Sequence, residues 1–387
     1  MENTLALTKD LLAGLVSFPT LSGESNLEMI AYIQQFLEEY GIECSLTYDE
    51  SGARANLYAV IGPEIEGGIM FNGHSDVVPT FGQQWTNDPF ELTEQAGKLY
   101  GRGAVDMKGF IACMLAIVPE LKQQSLQRPV QLSVCFDEEI GGYGASILAQ
   151  DLASRQVKPA LAVVGEPTAM RLVTGHKGGY ELRTEIFGFE VHASDPSKGV
   201  NAIEFATKYI NKILEYSDKQ REIEVPDSQF APPFTTVNVG QIGGGVARNI
   251  TAGYCSFDWE IRPIPGTDGM AIIEEILAFA REELLPQMKS VSSSADIRTT
   301  IIADVPALKF DERSDAMELV RAITGANTSE NVSFATDAGY FQRVGIPTVV
   351  YGPGSIEQAH KPDEFIETSE LQRCLEFMRS VARYQAM

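Results

Sequence analysis

Apolar and polar positions alternate in a regular rhythm over the first part of the chain. Amphipathic stretches with apolar residues at helical spacing are separated by short, continuously apolar runs that are typical of buried strands. Strands that alternate with helices in this way indicate an α/β domain, whose largely parallel sheet carries helices on both faces. The predicted helices are 5–16, 26–40 and 110–122, and the predicted strands are 69–72, 130–136 and 161–165.

A different order begins at about Gly178. One strand, one helix, two strands, one helix and one strand follow each other, which is the ferredoxin-like α+β order. After Pro306 the first rhythm resumes, with an apolar strand at 346–351 and a last helix from Ser369. The middle elements are strand 180–187, a helix around 203–214, strands 236–242 and 254–261, helix 270–285 and strand 297–302.

The length of 387 residues exceeds what one hydrophobic core usually organises, so two domains are expected. We predict a catalytic domain built from residues 1–177 and 304–387, with a ferredoxin-like domain, residues 178–303, inserted between its two parts.

Composition excludes several classes of partner. A content of 44% hydrophobic and 21% charged residues is that of a globular protein. The net charge of -23 would repel nucleic acid phosphates and anionic lipids, so neither a nucleic acid nor a membrane is expected as a partner.

Lys9 and Asp10 interrupt the apolar residues at the N-terminus, which argues against an export signal and for a cytoplasmic location. The five cysteines are far apart and contain no C-x-x-C pair, so they predict neither a disulfide framework nor a thiolate metal site.

Histidine is rare in this chain, with four residues. His74 stands directly after a predicted strand, in Asn72-Gly-His-Ser-Asp. Residues two apart on a strand share a face, so Asp76 is placed to accept a ring N–H of His74 and to fix its tautomer as a metal ligand. The alternative is a strand-end turn with solvated polar groups, and this motif alone leaves both open.

Carboxylates follow the predicted strands at several points. Asp106 precedes the helix at 110–122, where it can either cap the helix or bridge two metal ions. Glu138, Glu139 and Glu166 also come just after strands, where single acidic residues are usually solvated. Ligands of open α/β sheets bind outside the carboxyl ends of the strands, so the joint placement of these residues with the histidines favours one common site.

Nitrogen and oxygen donors without thiolates suit zinc, cobalt or manganese. Two histidines and three carboxylates are enough to hold a pair of metal ions about 3.5–4 Å apart. Two dications are balanced by three carboxylates and one hydroxide, which leaves Asp76 and Glu138 with other tasks. Of the adjacent glutamates, one can bind metal while the other deprotonates water.

Several segments of the chain match those of a known protein family. The chain resembles the acetylornithine deacetylases of the zinc aminoacylase and carboxypeptidase family, over nearly its whole length and in the family order. The resemblance implies two zinc ions in the α/β domain, which cobalt or manganese can replace, and a lid domain through which subunits form a homodimer. The matching segments are NGHSDVVP, WTNDPFELTEQAGKLYGRGAVDMKGF, DEE, GEPT, GHKG, HASDPSKGVNAIE, GPGS and QAHKPDEFI.

The resemblance also implies a role for each candidate residue. His74 and Glu166 would bind one metal, Glu139 and His360 would bind the other, and Asp106 would bind both. Asp76 would orient His74, and Glu138 would be the general base. His192 would stabilise the oxyanion in the neighbouring subunit's site. Asn249 and Arg262 would surround the substrate and its carboxylate. Backbone N–H groups at Gly352, Gly354 and Ser355 are further candidates for binding that carboxylate. His176 matches no ligand position and is expected to be structural or to support a ligand.

The expected substrate is a small N-acyl amino acid. The resemblance favours removal of the acetyl group from N2-acetyl-L-ornithine to give L-ornithine and acetate, a step of arginine biosynthesis. The alternatives are a succinyl-diaminopimelate desuccinylase and a broader N-acyl-amino-acid deacylase or dipeptidase. A non-catalytic metal-binding relative is a more distant alternative, which the intact pair Glu138 and Glu139 and the presence of His192 argue against.

Overall fold

The computed structural model describes residues 2–223, 225 and 228–387. These residues form two compact units. The first unit comprises residues 1–175, 308–331 and 336–387, and the second comprises 176–307 and 332–335. No helix among the described residues is both long and apolar enough to cross a lipid bilayer.

The N-terminal part of the first unit alternates strands and helices. The helix predicted at 110–122 is divided into two, because Pro119 lies in the first turn of the second helix and has no N–H to donate to the preceding turn. The elements are α1 (Glu2–Val16), α2 (Leu27–Glu39), β1 (Cys44–Tyr48), β2 (Ala55–Ile61), β3 (Gly68–His74), β4 (Thr93–Gln95), β5 (Lys98–Tyr100), α3 (Gly109–Ala116), α4 (Val118–Gln123), β6 (Val130–Cys135), α5 (Tyr143–Ser154), β7 (Pro159–Val164) and β8 (Val173–His176).

The second unit has the predicted ferredoxin-like order. Its antiparallel sheet has the strand order β10-β11-β9-β12 and packs against α6. Burial alternates along β11, where Cys255, Phe257, Trp259 and Ile261 face the core of the unit. The elements are β9 (Gly179–Phe187), α6 (Ala202–Glu222), β10 (Thr236–Gly244), β11 (Tyr254–Arg262), α7 (Gly269–Phe279), α8 (Leu285–Val291) and β12 (Asp296–Val305).

The C-terminal part of the chain completes the first unit. Its last helix is amphipathic, and the apolar face packs into the same core as α1 and α3. The elements are α9 (Asp315–Thr324), β13 (Glu330–Val332), α10 (Ala338–Arg343), β14 (Thr348–Val350), β15 (Phe365–Glu367) and α11 (Thr368–Gln385).

Eight strands form the main sheet of the first unit, in the order β1-β2-β6-β3-β7-β14-β8-β13. The four central strands, β6, β3, β7 and β14, are parallel to their neighbours within this group. Every residue of β3 and β6 is buried, as expected for parallel strands that are covered on both faces. The prediction of a largely parallel α/β sheet together with a separate antiparallel domain is confirmed.

The first unit also contains a small sheet of three strands, in the order β15-β5-β4. Phe365 pairs with Tyr100, and the N–H of Gly101 donates to the carbonyl of Glu364 at 2.9 Å. This pairing brings the segment before β15, which contains His360, next to the segment after β5, which contains Asp106.

Candidate metal centre

The carboxyl ends of β3, β6 and β7 meet at one edge of the main sheet. His74 is the last residue of β3 and pairs with Cys135, the last residue of β6. Glu138 and Glu166 follow β6 and β7 within three residues. The parallel register therefore presents the predicted donors on the same side.

His74 is fully buried. Its Nδ1 donates to the main-chain carbonyl of Asp76 at 2.9 Å. Its Nε2 lies 3.1 Å from Oδ1 of Asp106 and 3.7 Å from Oε1 of Glu166. The carbonyl fixes a proton on Nδ1, so Nε2 is the ring nitrogen that faces the carboxylates. Without a cation it donates to Asp106, and it would offer its lone pair to a cation bound between them.

The carboxylate of Asp76 has a different set of partners. Its nearer oxygen is 3.6 Å from Nδ1 of His74, which is too long for a hydrogen bond, so the ring N–H goes to the carbonyl of this residue instead. The two carboxylate oxygens accept the main-chain N–H groups of Glu138 at 3.0 Å and Glu139 at 3.2 Å, and one also accepts the hydroxyl of Ser22 at 2.8 Å. Asp76 thus ties the loop with both glutamates to the end of β3.

Asp106 does not cap a helix. It has the extended angles φ -126° and ψ 92°, and Lys108 is the residue that precedes α3. Its carboxylate is buried between the two histidines, with Oδ1 3.1 Å from Nε2 of His74 and Oδ2 3.2 Å from Nε2 of His360. One oxygen faces each histidine, which is the arrangement that a bridging carboxylate needs.

His360 lies in the loop before β15, and half of its side chain is exposed (50%). Its Nε2 is 3.0 Å from the carboxylate of Glu139. Glu138 instead belongs to a group with His74 and Glu166, whose donor atoms all lie within 4.8 Å of one another. Glu139 forms a similar group with His74 and Asp106, so both glutamates lie near His74, and Glu139 also contacts His360.

The electrostatics of this cluster favour bound cations. Burial, followed by the charges of neighbouring carboxylates, raises the pKa of Glu138 and of Glu166, and raises that of Glu139 to about 7. Hydrogen bonds to Asp106 and Glu139 raise the pKa of His360 to about 10. In addition, Oε1 of Glu166 is buried without a hydrogen-bond partner. Buried carboxylates that lack compensating charge are costly, so the cluster is suited to ligands of positive charge.

A family model described as peptidase family M20/M25/M40 matches residues 70–384, which is most of the chain. The chain belongs to this peptidase family. It is therefore a member of a family of hydrolases.

Solved structures of low sequence identity share the fold of this family member. The metallo-carboxypeptidase Sso-CP2 from Sulfolobus solfataricus, of the M20 family, is 17% identical and has a TM-score of 0.77, with 97% of this chain and 98% of that chain covered. The di-peptidase Dug1p from Saccharomyces cerevisiae is 14% identical, with a TM-score of 0.74 and coverage of 99% and 98%. The YXEP protein from Bacillus subtilis, described as a dinuclear metal binding peptidase of the M20 family, is 17% identical, with a TM-score of 0.68 and coverage of 99% and 98%.

Several buried or partly buried polar residues around the centre of this peptidase-family chain were not predicted. Arg54 forms ion pairs with Asp49 and with Asp137, the residue before Glu138. Asp337 accepts a hydrogen bond from the side chain of Asn72 at 3.1 Å, and burial raises its pKa to about 6. The sequence signal for Asp137 was its place in Phe-Asp-Glu-Glu, but Asp337 and Arg54 lie far from the motifs in the sequence.

Two of the three main-chain N–H groups proposed for substrate binding in the first unit, those of Gly352 and Gly354, already have acceptors. The N–H of Gly352 donates to the hydroxyl of Thr168 at 3.1 Å, and the N–H of Gly354 donates to the carboxylate of Glu370 at 3.0 Å. The hydroxyl of Ser355 accepts the N–H of Glu357 at 3.3 Å. A substrate carboxylate would have to replace the bonds made by Gly352 and Gly354.

The remaining predicted residues belong to the second unit. His192 is exposed, and its Nδ1 accepts the N–H of Ser194 at 3.2 Å, which leaves the proton of a neutral ring on Nε2. Arg262 is paired with Glu260 through two nitrogens, at 2.9–3.2 Å. Asn249 is exposed, and its carbonyl accepts the N–H of Ala193 at 3.0 Å. His176 is buried, with Nδ1 2.8 Å from the carbonyl of Lys177.

Proposed function

We propose that this chain is a two-metal hydrolase that cleaves the amide bond between an acyl or aminoacyl group and the nitrogen of an amino acid. The observation that carries the proposal is the position of Asp106, whose two carboxylate oxygens each face a different histidine. The similar folds of a di-peptidase and of a protein described as a dinuclear metal binding peptidase support it.

The residues present fit a pair of divalent cations. His74, Glu166 and Asp106 offer donors for one cation, and His360, Glu139 and Asp106 offer donors for the other. All donors are nitrogen or oxygen, which suits zinc, cobalt or manganese. When bound, such a pair polarises the amide carbonyl and lowers the pKa of water at the site.

Glu138 is the residue that we propose to move the proton. Burial and the charge of Glu166 raise the pKa of Glu138, so that its carboxylate is able to accept a proton from water and then to donate it to the departing amine. Asp76 holds the main-chain N–H of this residue at 3.0 Å, which fixes the start of the side chain. The loop that carries the base is therefore attached directly to the strand that carries His74.

The second unit is proposed to act as a lid and dimerisation domain, spanning approximately the predicted range 178–303. The proposal rests on the resemblance described above, which assigns His192 to the oxyanion in the neighbouring subunit's site. A ring with its proton on Nε2, as the bond from Ser194 implies, can donate to an oxyanion. Arg262 and Asn249 are retained as proposed contacts of the substrate carboxylate. A monomer in sedimentation velocity would contradict the proposed homodimer.

A substrate panel tests the function. The purified chain, loaded with zinc or cobalt, should hydrolyse N-acyl amino acids or dipeptides, and kcat/KM should be measured for N-acetylornithine, N-succinyl-diaminopimelate, acetylated neutral amino acids and several dipeptides. N-acetylnorvaline is the matched control for N-acetylornithine, because it lacks only the side-chain amine. A preference of at least ~10-fold for N-acetylornithine, or roughly 1.4 kcal/mol, would support the acetylornithine deacetylase assignment. Comparable values favour a broad deacylase or dipeptidase, and no turnover with two metals bound would contradict the enzyme proposal.

A further inference from the structure

The loop that carries His360 is held by a segment distant in sequence. The side-chain amide of Gln83 donates to the carbonyl of His360 at 2.9 Å. Three residues further on, the main-chain N–H and the hydroxyl of Thr86 donate to the carboxylate of Asp363, at 2.8 and 2.7 Å. His360 and Asp363 have φ values of 62° and 55°, in the left-handed region that residues other than glycine rarely adopt. Such a conformation persists where the surroundings impose it, and the segment 83–86 supplies that constraint.

A buried ion pair holds the segment that carries Asp106. Arg102 and Glu364 are each 1% exposed, and Nη1 of Arg102 donates to Oε2 of Glu364 at 2.6 Å. The other carboxylate oxygen of Glu364 accepts the main-chain N–H groups of Val105 at 3.0 Å and of Asp106 at 3.2 Å. Both oxygens of this buried carboxylate are therefore satisfied, and one of them fixes the main chain of Asp106.

A hydrogen bond between Gln83 and Arg102 connects the contacts that hold the His360 loop to the ion pair that holds the Asp106 segment. Nη2 of Arg102 donates to Oε1 of Gln83 at 2.6 Å, and the indole N–H of Trp85 donates to the same oxygen at 3.1 Å. The amide of Gln83 therefore accepts on the Arg102 side and donates on the His360 side. An unbroken series of hydrogen bonds runs from the carbonyl of His360 through Gln83, Arg102 and Glu364 to the N–H of Asp106.

We propose that Gln83, Arg102 and Glu364 are positioning residues that set the distance between His360 and Asp106, the two donors that bind the second cation together with Glu139. The proposal rests on the two-metal function proposed above and adds three residues to it. None of the three lies within hydrogen-bonding distance of a donor atom of the cluster. They act through the main chain of the two ligands, as supporting contacts of metal sites often do.

Gln83→Met tests the proposal without introducing a charge. The substitution keeps the length of the side chain and removes both the acceptor for Arg102 and the donor to His360. Metal titration of the metal-free protein by calorimetry, with the metal content checked by mass spectrometry, should show two binding steps in the wild type. The step that His360→Ala removes identifies the second cation. In Gln83→Met the affinity of that step should fall by ~10- to 100-fold, the usual cost of losing a supporting contact, while the other step stays within about twofold.

Gln84→Met is the matched control, because Gln84 is the exposed neighbour of Gln83 in the chain. It should bind both ions as the wild type does. Wild-type affinity for both ions in Gln83→Met would overturn the proposal. Equal weakening of both steps, together with a lower melting temperature of the metal-free protein, would show a general structural role and would also overturn it. A wild type that binds fewer than two ions would instead contradict the proposed metal centre.

Glu364→Gln provides a second, independent readout. Asp106 serves both cations, so loosening its main chain should weaken both steps, in contrast to Gln83→Met. The conservative variant keeps an oxygen that can accept the N–H groups of Val105 and Asp106, so the loss should be smaller than in Glu364→Ala. Unchanged affinities in a folded Glu364→Ala protein would overturn the part of the proposal that concerns Glu364.

Discussion

The two halves of the candidate metal centre are built in different ways. His74 and Glu166 lie at or just after the ends of central strands, and both are buried. His360 lies in a loop, is half exposed and has a left-handed backbone conformation. The pairing of β3 with β6 and β7 fixes the first half directly, because neighbouring strands have a defined register.

The second half of the centre, with His360 in a loop, is called the loop half. No strand register fixes His360, so its position depends on hydrogen bonds from other segments. Gln83 and Thr86 hold the loop, and Arg102 and Glu364 connect it to Asp106. A donor on a strand thus comes into place with the fold, whereas a donor on a loop needs its own network of hydrogen bonds. Substitutions in the first half should therefore lower the free energy of unfolding, whereas loss of the contacts that hold the loop half should lower metal affinity.

The largest effect is expected for Asp106→Ala, because this residue is shared by both halves. The variant should lose both metal ions. Its activity should decrease by more than the ~10²- to 10⁴-fold that removal of a general base causes. Metal analysis and kcat/KM are the measurements, with Asp10→Ala as an exposed control. Two ions bound at wild-type affinity would rule out a bridging role.

Glu138→Ala should lose turnover and keep its metals. The expected decrease in kcat is ~10²- to 10⁴-fold, as is usual for general bases. Glu138 shares a cluster with His74 and Glu166, so the experiment also decides whether it is a ligand of that half. Loss of one ion would identify it as a ligand, and near-full activity would contradict its role as the base.

His74→Ala and His360→Ala break the two halves separately. His74 is fully buried and hydrogen-bonded to the carbonyl of Asp76, so its removal should cost the metal-free protein about 1–3 kcal/mol of unfolding free energy. His360 is half exposed, so the loss of its ion pairs with Asp106 and Glu139 is screened by solvent and should cost less than the loss of His74. Urea unfolding of the metal-free variants measures both values. Equal destabilisation would contradict the distinction between the two halves.

The smallest effect concerns protons. In the metal-free chain the pKa of His360 is about 10, so its ring is protonated at pH 7.5, yet it must be neutral to bind metal. Metal binding to the loop half should release about one proton from this residue, and its affinity should weaken as the pH falls, by up to ~10-fold per unit. Calorimetry in two buffers of different ionisation enthalpy measures the released protons. His360→Ala should release fewer, and an unchanged number would show that the proton comes from another group.

The sequence by itself determined the fold class and the residue types of the site. The period of the apolar positions separated the parallel sheet from the ferredoxin-like unit, and the placement of His74, Glu138 and Glu166 after apolar runs indicated a common edge. Local patterns were enough because a strand fixes its end residues through register. They did not reveal β1 and β2 at the antiparallel edge of the sheet, nor the division of the helix at 110–122, which Pro119 causes.

Only the tertiary structure decided which groups meet. The ring N–H of His74 goes to the carbonyl of Asp76, and the carboxylate of Asp76 holds the two glutamates, although sequence spacing had suggested a carboxylate partner for the ring. Arg102 and Glu364 stood in matching segments without an assigned role, and Gln83 lay outside those segments. Arg102 and Glu364 are 262 residues apart in the chain. They meet because β15 pairs with β5 in the small β15-β5-β4 sheet. No local pattern of apolar and polar residues encodes a pairing between strands so far apart in the chain.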